Sequence, residues 1–236
     1  ARIARYREQE GTVYFKGEAA DSYVQYPYHY YEFWGHLGDG QTNPYDEKDL
    51  SYLTRADRHV LFVDGRYFVM LDDLAVSRDR PGGSSFSWLY HVLQDVPLEY
   101  DEQKSSFSYK IENVTTLVKV ICSEEFTFQD RQKQQGLINP ITGEDYTRWV
   151  RKIRRYDNNY TGPYPELVTH NIWITNRKPA YELRYLTVIY PWREGDPEPE
   201  IEKVDNLTVR VRCGRKTETV TFAPGAHPKA DFQVGL

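Results

Sequence analysis

The sequence predicts an all-β protein, an antiparallel β-sandwich with long rim loops and at most one short helix. Three observations predict it. Apolar residues recur with period two in one run after another, as strands with one buried face require. The runs are separated by Gly, Pro, Asn and Asp, which supply turns. Helical periodicity is confined to one stretch, Gly143 to Arg155.

Thr12-Val13-Tyr14-Phe15-Lys16 is the first strand read from the pattern. The strongest local signal follows, His59 to Val63, then Asp64-Gly65, then Arg66 to Leu71. Asp-Gly suits the two positive-φ positions of a type I′ turn, so these runs form a hairpin with Val60, Phe62, Tyr67 and Val69 packed. Further strands are Phe86 to Leu93, Ser106 to Ile111 and Val114 to Cys122. A later group comprises Asn171 to Thr175, Tyr181 to Tyr190, Leu207 to Arg212 and Thr217 to Phe222. In the helical stretch, Asp145 or Thr147 caps and Trp149, Val150 and Ile153 form the stripe. Its Arg148, Arg151, Lys152, Arg154 and Arg155 are the one basic cluster, a solvated face or an anion-binding strip. Two stretches, 25–49 and 131–169, lack strand patterning and read as long loops on the sandwich rim, within one domain spanning 1–236.

The 236 residues carry 30 Lys+Arg and 35 Asp+Glu, a net charge of −5. With no basic excess, nucleic acid is not expected as a partner. Aromatics make up 15%, which excludes a disordered chain. No apolar run approaches the ~18 residues of a membrane span. The first ten residues are charged and hold no signal-peptide core, and the chain lacks an initiating Met. It reads as a fragment of a longer chain. Cys122 and Cys213 sit in strand-like runs as buried free thiols, although two cysteines also allow one bridge.

No nucleophile elbow, phosphate loop, dinucleotide fingerprint or zincin motif is present. Asp39 to Asn43 begins like a calcium loop, but Pro44 and Leu50 stand where Gly and Glu are needed. No metal site and no cofactor are expected. His59 and His91 read as hydrogen-bonded strand histidines. The densest candidate is Tyr26 to His36, with two His, one Trp, one Phe and four Tyr in eleven residues. Flat rings stack on sugar faces while His and Tyr OH bond hydroxyls. Tyr28, Tyr31 and Trp34 are the candidate platforms, and His29 and His36 the polar contacts. Arg55 and Arg58 are candidates to pair with a sugar carboxylate. The competing reading is that these rings pin a loop to the sandwich.

Val13 to Tyr23 is similar to a strand followed by a G-(D/E)-A-x-x-x-Y turn. Arg58 to Leu74 is similar to an R-x-V-x-F strand, a turn and a Y-F-V-(V/I)-x-D strand. Trp88-Leu89-Tyr90-His91 is similar to W-x-L-H, and Leu186 to Pro191 to L-T-V-L-x-P. In these motifs and their order the chain resembles the sandwich of heparinase II/III-type polysaccharide lyases. Such lyases pair an N-terminal α/α toroid with a C-terminal β-sandwich and cleave acidic polysaccharide by β-elimination. Their working Tyr and one His come from the toroid, and another His from an H-N strand upstream of the matched region. His170-Asn171 lies downstream of the matches, so that role is not carried over. The resemblance implies a C-terminal lyase segment without catalytic residues, whose parent is periplasmic or secreted. Its implied partners are the toroid and acidic polysaccharide. An independent carbohydrate-binding module and a structural domain of a cell-surface protein are the alternatives.

Overall fold

The computed structural model describes residues 1–9, 11–20, 52–93, 96–101, 105–130, 169–223 and 232–235. The described residues are nearly all strand and contain no helix long and apolar enough to cross a membrane. Tyr26–His36 and the helical stretch Gly143–Arg155 lie outside them. The chain divides into two compact units. One comprises Ala1–Phe86, Leu98–Phe126 and Asn176–Leu236; the other comprises Ser87–Pro97 and Thr127–Thr175.

The first unit is a sandwich of two antiparallel sheets. Its large sheet uses β1 (Arg2–Gln9), β2 (Thr12–Glu18), β3 (Leu53–Val63), β4 (Tyr67–Val76), β6 (Leu98–Asp101), β7 (Ser106–Ile111), β8 (Val114–Cys122) and β11 (Glu182–Arg193). Their order is β1-β2-β3-β4-β11-β8-β7-β6. The small sheet runs β12 (Glu200–Lys203), β13 (Thr208–Cys213), β14 (Lys216–Phe222) and β15 (Phe232–Gly235). The remaining strands, β5 (Ser87–Leu93), β9 (Phe126–Asp130) and β10 (Thr169–Asn176), form a three-stranded sheet, β5-β10-β9.

The predicted hairpin is β3–β4. Asp64 and Gly65 have φ of 48° and 65°, the two positive values of a type I′ turn. Val60, Tyr67 and Val69 are buried and Phe62 is half-buried against Phe68. Alternation then selects the core. Leu61, Val69, Leu71, Ile121, Leu186 and Val188 of the large sheet pack on Val209, Val211, Val220 and Phe222 of the small one. Each such side chain removed from water contributes roughly 1.5–3 kcal/mol before entropy is counted. Strand β11 is the long-range seam, because Leu186 lies opposite Leu71 of β4 and Ile121 of β8.

Two polar features cross this core. His59 is buried with Nδ1 2.8 Å from the Tyr14 hydroxyl. At the sandwich end, buried Glu218 accepts hydrogen bonds from Arg66 and from the Tyr67 hydroxyl, the latter at 3.2 Å. Lys216 Nζ lies 2.9 Å from Asp64 and 3.3 Å from Glu218. This charged clasp joins the β3–β4 turn to β14. Burial, then Glu218, drives the Tyr67 hydroxyl far above its ordinary range. Cys122 and Cys213 are free thiols, the first buried and the second half-buried, and burial pushes Cys122 up.

Candidate functional site

Arg55 and Arg58 occupy opposite faces of β3, because strand side chains alternate. Arg58 stands opposite Asp72 of β4 and grips it with two bonds, Nε to Oδ1 at 2.6 Å and Nη2 to Oδ2 at 3.1 Å. Burial raises the Asp72 carboxyl and Arg58 pulls it back down, with burial the larger influence. Arg55 Nε lies 3.0 Å from Asp73 Oδ2, and Arg184 of β11 donates to Asp73 Oδ1 at 3.0 Å. Thus one buried carboxylate serves two guanidinium groups. Lys16, with Asp57 at 2.7 Å and Glu18 at 3.0 Å, continues the charged rows on that face. A sugar carboxylate reaching either arginine has to compete with a carboxylate already in place. The other candidates, Tyr28, His29, Tyr31, Trp34 and His36, lie outside the described residues.

The second unit holds two polar pairs that reading along the sequence leaves apart. His170 is buried, with Nδ1 2.9 Å from Asp130 Oδ2. His91, opposite Asn171 in the β5–β10 register, places Nδ1 2.6 Å from the amide Oδ1. An amide oxygen only accepts, so Nδ1 of His91 is the donor in this pair, and in the neutral ring Nε2 is left to accept. The same logic orients His170, whose Nδ1–H faces a carboxylate. Adjacent residues His170 and Asn171 point to opposite sheet faces, so the two pairs are separate devices. The only signal in the chain was the dipeptide itself. Its partners lie 40 and 80 residues away, and only strand pairing brings them in. Among the described residues, no group of three His, Cys, Asp or Glu side chains is gathered in a way that would hold a metal ion.

No protein-family model and no curated protein matches this sequence. Solved structures do. One is a heparinase III gene product, TM-score 0.52 at 14% identity, with 92% of this chain and 27% of that chain covered. Another is a heparan sulfate lyase from Pedobacter heparinus, TM-score 0.53 at 11% identity, covering 96% of this chain and 28% of that one. The fold is that of a heparinase-type segment. At these identities the likeness is one of fold, and the chain spans about a quarter of the length of these lyases.

Proposed function

We propose that this chain is the C-terminal β-sandwich region of a polysaccharide lyase of the heparinase II/III type. The observation that carries this reading is the coverage: 92% of this chain lies on a heparinase III of which it spans 27%. The four stretches of sequence resemblance support it independently. Elimination needs a base for the proton α to the uronate carboxyl, a neutralising group for the developing enolate charge, and departure of the 4-O group. In such lyases the working Tyr and one His belong to the toroid. The segment itself is non-catalytic; it supports the toroid's cleft, handles acidic polysaccharide, and works outside the cytoplasm. Tyr28, His29, Tyr31, Trp34 and His36 are proposed to face the glycan, with Arg55 and Arg58 exchanging partners toward a uronate.

The test is an ultraviolet assay for the unsaturated product, with purified chain mixed with heparin, heparan sulfate, alginate or chondroitin. No absorbance is expected from the chain alone. A product signal lost with His170→Ala would overturn the non-catalytic assignment and make the His170–Asp130 pair the base.

A further inference from the structure

Three cross-strand pairs line one face of the β5–β10 ribbon. They are Ser87 with Thr175, Leu89 with Trp173, and His91 with Asn171. Successive pairs lie two residues apart, about 6.7 Å along the strand. The opposite face is the apolar one, where Trp88, Val92, Ile172 and Ile174 are buried. On the first face Ser87 and His91 are exposed and Trp173 is half-buried. Leu89 is 45% exposed, a large apolar side chain left in water beside an indole. The hydroxyls of Ser87 and Thr175 are 2.8 Å apart, and His91 is held by Asn171 at 2.6 Å.

We infer that this face is a saccharide-binding surface, with Trp173 and Leu89 as the platform for a sugar ring. His91 Nε2 accepts from one ring hydroxyl, and the Ser87–Thr175 pair bonds another. The inference rests on the reading above and extends it to residues other than those of Tyr26–His36. The chemistry favours a sugar over a protein strand or a bare anion. A pyranose offers an apolar C–H face rimmed by hydroxyls, which an indole flanked by polar groups matches. None of the six side chains is a cation, so a free anion finds no counter-charge among them. Both polar pairs are pre-oriented. In the neutral ring the Asn171 contact selects the Nδ1–H tautomer, so the Nε2 acceptor is in place before the ligand arrives.

The experiment is isothermal titration of the full 236-residue chain with size-defined heparan sulfate and alginate oligosaccharides. Trp173→Ala should weaken binding about tenfold, a loss of ~1.4 kcal/mol, while Trp173→Phe keeps most of it. His91→Ala should weaken it several-fold. Leu89 is exposed, so Leu89→Glu leaves the fold intact, checked by melting temperature, and should also weaken binding by placing charge under the ring. Saccharide binding that is unchanged in Leu89→Glu and His91→Ala would overturn this site and leave the lyase-region reading standing. Wild-type chain that binds none of these oligosaccharides would overturn this site and count against that reading too.

Discussion

Gly82 and Gly83 have almost the same backbone, φ of 78° and 76°, and opposite tolerances. A Cβ at Gly82 meets nothing within 4 Å, whereas one at Gly83 comes within 2.9 Å of the Ala180 backbone. That backbone is fixed by its bridge to Ser84, with N–H···O distances of 2.9 and 2.8 Å. Gly82→Ala should therefore cost about 1 kcal/mol, the left-handed strain alone. Gly83→Ala adds overpacking and should cost about 3 kcal/mol. Urea unfolding of the two variants measures the difference; equal losses would mean that the Ala180 backbone gives way. Gly65→Val belongs to the same class. There is open space around Gly65, so its cost of roughly 1–3 kcal/mol comes from φ and not from contact.

At the scale of elements, the clasp between the β3–β4 turn and β14 contributes to the acid response. Lys216, then Arg66, holds the Asp64 carboxyl below its ordinary value of 3.8. A depressed acid contributes stability that is complete above its unfolded pKa and is lost as pH falls through its folded pKa. The folded chain should therefore lose stability below about pH 4, and Lys216→Met should flatten that loss by returning Asp64 toward its ordinary value. Urea midpoints measured from neutral pH down to pH 2 test this. An unchanged slope in Lys216→Met would remove Asp64 from the account. Glu218→Ala strips a buried acceptor from Arg66 and Tyr67. It should cost about 2 kcal/mol at neutral pH, because Arg66 can turn to water while the buried Tyr67 hydroxyl cannot.

At the scale of the whole molecule, the large sheet has a protected middle and open margins. Strands β3, β4, β11 and β8 carry most of the sheet's buried residues, whereas Ile3 and Tyr6 of edge strand β1 are 74% and 65% exposed. Arg2, Arg5 and Arg7 on that edge discourage pairing with another chain. Amide exchange should be slowest in β4 and β11 and fastest in β1, β6 and β15. Mass-spectrometric exchange that protected β1 as strongly as β4 would mean that another segment covers the edge.

What the sequence determined by itself is local. The Asp64-Gly65 turn could be read because a type I′ turn needs only two residues of the right φ. Strands β7 and β8 were read with the bounds they have, because period two is a property of a single run. The free state of the two thiols was also the simpler reading of their strand context. Strands β1, β6, β9, β12 and β15 were missed. They are short or charged, and their partners, not their own alternation, make them strands. The tertiary structure alone decided that β11 lies between β4 and β8, and that Arg55 and Arg58 face Asp73 and Asp72. It also decided that His170 meets Asp130 and His91 meets Asn171. The physical reason is the same in each case. A strand's own pattern sets which side chains share a face, but the register of a distant strand sets which groups meet there.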